Sequence, residues 1–153
     1  MDETLKVVII DDNTDYLFTM KTFLSRNGFE VFTAENGKDG IEMVNKEHPD
    51  LVLLDVMMET LFSGFEVCKK IRANEDLKDT PIIGISGMSE ELNMRYDQWP
   101  DWEYFKPDEF MDKPVDKEKL LINIDNVLSK ARERVNRPKW RKDLDEERKK
   151  GWV

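Results

Sequence analysis

The sequence predicts an α/β fold, a doubly wound five-stranded parallel sheet with helices on both faces and a C-terminal helical extension. Three observations predict it. Short apolar runs of strand length alternate with segments of helical period along most of the 153 residues. These runs are apolar at successive positions, so both faces of each strand must be covered, which is the habit of parallel sheets. Polar and charged residues stand where several of the runs end, on the edge that right-handed crossovers would bring to one side.

The elements follow in order. Leu5–Ile10 is apolar apart from Lys6 and ends in Asp11-Asp12-Asn13, where turn and capping chemistry begins. Tyr16, Leu17, Met20, Phe23 and Leu24 then recur at helical spacing, and Asn27-Gly28 reads as the stop. Glu30–Ala34 reads as a second strand and Gly37–Lys46 as a helix with Ile41 and Val44 inward. Leu51–Asp55 is a strand with a carboxylate at its end, and Phe65–Ala73 is a helix through Val67, Cys68 and Ile71. Pro81–Ile85 is the fourth strand, ending at Ser86-Gly87, with a short helix expected at Ser89–Tyr96. Glu109–Asp112 is a last short strand before Lys113-Pro114. Asp116–Val135 closes as a long helix striped by Leu120, Leu121, Ile124, Val127, Leu128 and Ala131. Residues 1–130 are expected to form one domain, and residues 131–153 a charged extension of helical character.

Composition excludes several classes. With 39% hydrophobic and 37% charged residues, and no apolar run near the roughly 20 residues of a membrane span, a membrane protein is not expected. The acidic start MDETLKVVIIDD lacks the basic flank of a secretory signal, and the single cysteine cannot pair internally, so the expected location is the cytoplasm. Residues 1–130 carry 15 bases against 28 acids, which argues against direct binding of a phosphate backbone. Residues 131–153 reverse the balance, with nine bases against five acids, and read as a solvated face. Asn136-Arg137-Pro138 should break the last helix. Trp140 and Leu144 are spaced for a short second piece that folds back on the domain or on a second copy, which would make a homodimer.

Asp11, Asp12, Asp55, Ser86 and Lys113 all fall at or just past the carboxyl ends of predicted strands and would meet at one rim. Three carboxylates together repel one another, and a divalent cation relieves that repulsion. Oxygen ligands without histidine or thiolate favour magnesium. A lysine and a hydroxyl suit a bound phosphate, and a carboxylate at the end of the central strand can act as nucleophile. The set describes phosphoryl transfer, which depends on positioning and charge neutralisation.

The runs Val8-Ile9-Ile10-Asp11-Asp12-Asn13, Leu53-Leu54-Asp55-Val56-Met57-Met58, Ile85-Ser86-Gly87 and Phe110-Met111-Asp112-Lys113-Pro114 together resemble the receiver domain of two-component response regulators, of the stand-alone chemotaxis type. The resemblance spans about residues 5–130, with its landmarks in order. It implies a flavodoxin-like strand order 2-1-3-4-5 and Asp55 as phospho-acceptor. It further implies Asp12 as direct magnesium ligand, Asp11 acting partly through water, and the Met57 carbonyl as a further ligand. Lys113 would contact the phosphoryl oxygens, Ser86 and Phe110 would be the paired switch positions, and Lys113-Pro114 would be cis. The resemblance also implies a histidine kinase or phosphotransfer protein as donor; separately, no GxxxxGK[ST] loop occurs, so direct use of ATP is not expected. Output would go through contact with a downstream protein. The only chemistry would be magnesium-dependent gain and loss of phosphate at Asp55.

Four features depart from that pattern. The loop between Asp55 and Gly64 is one residue longer with Glu59 in place of a proline, Gly87 replaces a common alanine, Gln98–Lys106 is an aromatic insert, and the chain continues beyond the last helix. The insert reads as a packed flap, with partner docking as its alternative. His48 reads as a surface turn residue and Cys68 as core. Two rivals stand beside the switch. A receiver-like scaffold would share the fold without being phosphorylated. An aspartate-nucleophile phosphatase would need an acid two residues past Asp55, where Met57 stands.

Overall fold

Five parallel strands in the order β2-β1-β3-β4-β5 form the sheet, as the expected flavodoxin-like order requires. The structure is a computed structural model, and it describes residues 4–56, 63–87 and 107–136. The strands are β1 (Lys6–Ile10), β2 (Glu30–Ala34), β3 (Leu51–Asp55), β4 (Ile82–Ser86) and β5 (Glu109–Asp112). Among the described residues the helices are α1 (Thr14–Arg26), α2 (Gly37–Glu47), α3 (Ser63–Ala73) and α4 (Lys117–Asn136). None of them is long and apolar enough to cross a membrane. The expected helix at 89–96, the aromatic insert and the tail beyond Asn136 lie outside the described residues.

The sheet separates two apolar clusters, as continuous apolar strands demand. Ile9, Leu53, Ile83 and Ile85 pack on one face with Leu17, Met20 and Leu24 of α1 and Leu120, Ile124 and Val127 of α4. Val8, Ile10, Val52, Leu54 and Ile82 pack on the other with Val44 of α2 and Val67, Cys68 and Ile71 of α3. Every residue of β3 is buried, which fits the central strand, and each large aliphatic side chain so placed stabilises the fold by about 1.5–3 kcal/mol. Burial also pushes the Cys68 thiol up to about 12, so it behaves as a small apolar core residue.

Local chemistry sets the helix ends. The Asn13 side chain accepts from Tyr16 N–H at 3.1 Å and caps α1. The chain leaves α1 through Asn27 and Gly28, whose φ of 91° favours glycine. Asn36 caps α2 in the same way, and the exposed His48 ends it with φ 45°, the surface turn expected for it.

One polar network closes the opposite, amino edge of the sheet. Arg72 of α3 donates to the carbonyls of Lys78 and Thr80 at 3.0 and 2.6 Å and to Asp108 at 2.9 Å. The same Asp108 oxygen accepts from Ile82 N–H at 2.8 Å, so α3, β4 and the approach to β5 share one knot. Arg72→Ala should lower the unfolding free energy by about 2 kcal/mol, because it leaves several partners unmatched at once. Urea denaturation checks this, and a change under 0.5 kcal/mol would mean the network carries no weight.

Candidate functional site

Backbone pairing continues one residue past the strands on the carboxyl edge. Asp11 N–H donates to Ala34 at 3.1 Å, Val56 N–H to Ile85 at 3.1 Å and Lys113 N–H to Ser86 at 2.9 Å. The ladder therefore holds the main chain where the charged side chains begin. Asp11 and Asp55 are buried, Asp12 is exposed, and one carboxylate oxygen from each lies within 4.8 Å of the others. The structure thus brings together three acids separated by up to 44 positions in sequence.

Lys113 reaches into this cluster. Its Nζ lies 2.9 Å from Asp11 Oδ2 and 3.3 Å from Asp55 Oδ2. Burial works against its charge, but the hydrogen bonds and the charges of Asp11 and Asp55 together outweigh it, and the ammonium is held above the ordinary lysine range. The other oxygen of Asp11 accepts from Asn13 N–H at 2.8 Å, which fixes that carboxylate from a second side. The Lys113–Pro114 peptide bond is cis.

Ser86 ends β4, fully buried, on the same sheet face as Gly84 two residues before it. Phe110 of β5 is in register with Gly84 and half-buried, and its ring lies so close that a Cβ on Gly84 would sit 3.0 Å from it. Gly87 is exposed and open, with nothing within 4 Å of where its Cβ would stand. Met57 and Glu59 lie outside the described residues.

Three clustered carboxylates with no nitrogen or sulfur donor suit a hard divalent cation of the magnesium type. A single ammonium shared by two of them offers a fixed positive charge to an incoming anion. Residues 7–125 match the family model of the response regulator receiver domain.

The chain belongs to the response regulator receiver family. This receiver is 29% identical over 124 residues to protein PilH of Pseudomonas aeruginosa, covering 81% of this chain and 98% of that one. It is 32% identical over 120 residues to protein PilG of the same organism, covering 76% and 82%. Among solved structures, the Vibrio cholerae chemotaxis protein CheY4 superimposes with a TM-score of 0.72 at 25% identity, covering 82% of this receiver and 99% of that chain. A receiver from Methanospirillum hungatei gives 0.74 over 86% and 99% at 23% identity and supports the fold.

Sequence reasoning overlooked Tyr16, which it read only as part of the α1 stripe. The Lys113 ammonium lies 4.8 Å from the centre of its ring. The signal available was its position one helical turn past the acid pair.

Proposed function

We propose that this receiver is a phosphorylation-dependent switch of a two-component system, taking a phosphoryl group on Asp55 from a histidine kinase or phosphotransfer protein. The observation that carries the reading is the Lys113 ammonium bonded to both Asp11 and Asp55 beside Asp12. An Asp55 oxygen attacks phosphorus, the bond from phosphorus to the donor imidazole breaks, and the imidazole leaves with its electron pair. Lys113 pairs with the phosphoryl oxygens as the Asp55 charge is consumed. Asp11, Asp12 and Asp55, with the Met57 carbonyl, would hold a magnesium ion whose charge offsets that of the phosphate.

Ser86 and Phe110 form the switch pair in this reading. The hydroxyl moves toward phosphate, the ring follows into the space it leaves, and the surface around β5 and α4 changes for a downstream protein. The open Gly87 position leaves the phosphate accessible to water, which favours loss of the phosphoryl group. Residues 1–130 make up the switch and residues 131–153 an extension that rests on the domain or on a second copy. The setting is the cytoplasm, and output runs through protein contact, without direct binding of nucleic acid.

Incubation with acetyl phosphate and magnesium should add the mass of one phosphoryl group to the intact chain and none to Asp55→Asn. An unmodified wild-type chain would favour the scaffold reading, and sustained turnover of a small phosphate ester would favour a phosphatase.

A further inference from the structure

We propose that Tyr16 is a positioning residue of the phosphorylation site, its ring face holding the Lys113 ammonium where a phosphoryl group on Asp55 needs it. The inference rests on the receiver reading above and names a residue outside the predicted site.

Four contacts form a closed circuit. Asp11 Oδ1 accepts from Asn13 N–H at 2.8 Å, and Asn13 Oδ1 accepts from Tyr16 N–H at 3.1 Å. The Tyr16 ring centre lies 4.8 Å from Lys113 Nζ, and that Nζ donates back to Asp11 Oδ2 at 2.9 Å. Tyr16 sits in the first turn of α1, its backbone N–H linked to Asp11 through Asn13. An ammonium has three N–H donors, and Asp11 and Asp55 are its two acceptors among the described residues. The π face takes the remaining side and attracts the cation through the ring quadrupole, within the range where such contacts count.

A second observation sets this tyrosine apart from an ordinary core ring. Its hydroxyl is buried without a hydrogen-bond partner among the described residues, a state that costs stability relative to phenylalanine. Burial, and then the charges of Asp11 and Asp55, push the phenol well above its ordinary range, so the ring faces the ammonium as a neutral group. The ring is therefore the working part, and the hydroxyl is dispensable to the contact.

The test compares the full wild-type chain with Tyr16→Phe and Tyr16→Leu. Each is measured for magnesium affinity alone, for beryllofluoride affinity in saturating magnesium, and for the rate of modification by acetyl phosphate. Lys113 pairs with the anion and competes with the cation for Asp11 and Asp55, so Tyr16→Leu should bind beryllofluoride roughly threefold more weakly, slow modification by a similar factor, and lose no magnesium affinity. Tyr16→Phe should match wild type in all three. Wild-type behaviour of Tyr16→Leu, or equal loss of magnesium and beryllofluoride affinity, overturns the proposal, the second because it marks general damage to the site. A wild-type chain that takes no phosphoryl group overturns the proposed phosphorylation switch and this inference with it. Normal wild-type modification with an unaffected leucine variant overturns this inference alone.

Discussion

Lys113→Ala lowers the unfolding free energy of the magnesium-free receiver by about 2 kcal/mol. Removing the ammonium leaves the buried Asp11 and Asp55 carboxylates facing each other and Asp12 without the charge that now offsets them. Breaking a fully buried ion pair costs about 3–5 kcal/mol, and the partial exposure of the lysine reduces that figure here. In the proposed reading the folded cluster takes a magnesium ion, and without Lys113 competing for Asp11 and Asp55, saturating magnesium should stabilise the alanine variant more than the wild type. The pH dependence has a definite sign. Because the folded-state pKa of Lys113 is raised, its contribution is complete below the ordinary lysine value of about 10.4 and fades as pH climbs through the folded value. Wild type should therefore lose stability at high pH more steeply than the variant. Thermal unfolding from neutral to alkaline pH, with and without magnesium, measures both effects. Equal curves would mean that Lys113 stabilises nothing.

Gly64→Ala costs about 3 kcal/mol, more than its single methyl group suggests. A Cβ at this position would run into the Cα of Val56 and come within 2.5 Å of the Asp55 carbonyl oxygen. Both obstacles are backbone, so no rotamer change relieves them and α3 must withdraw from the end of β3. The Gly64 N–H to Val56 carbonyl bond of 3.3 Å would be lost in the same movement. The displaced strand end carries Asp55, so modification by acetyl phosphate should slow as well. Gly87→Ala is the control, because the space beside Gly87 is open, and it should change stability by less than about 0.5 kcal/mol. Urea unfolding of the two variants separates them, and similar midpoints would refute the packing argument.

The fold was legible where one-dimensional chemistry is strong. The expected spans of β2, β3 and β5 coincide with the observed ones: β3 is wholly apolar up to Asp55, and β2 and β5 each carry an apolar pair, Val31-Phe32 and Phe110-Met111, next to turn-forming segments. Boundaries slipped where tertiary pairing decides them. The fourth strand was expected at Pro81–Ile85 and runs Ile82–Ser86. Pro81 offers only its carbonyl, taken by Val52 N–H, while Ser86 joins the strand because Lys113 N–H binds its carbonyl. Helix α3 begins at Ser63, before the expected Phe65, since an apolar stripe does not mark a first turn that rests on a glycine. The meeting of Asp11, Asp12, Asp55 and Lys113 could be read because topology alone sends strand ends to one rim. The Tyr16 contact could not, since which side of a half-buried ring meets a cation depends on the docking of α1. The sharing of Asp108 by Arg72 and Ile82 was hidden likewise, because nothing in their spacing joins three distant segments.

The bond between Lys113 and Asp11 spans 102 positions, and that between Lys113 and Asp55 spans 58. The positive member of the cluster lies just beyond β5, whereas its negative members lie just past β1 and at the end of β3. A nascent chain emerging from the ribosome therefore displays the acids long before their counter-ion has been synthesised. Until β5 docks, the acids in such a fragment lack the ammonium that offsets their mutual repulsion. In the proposed reading, competence to accept a phosphoryl group would arrive only with completion of the sheet.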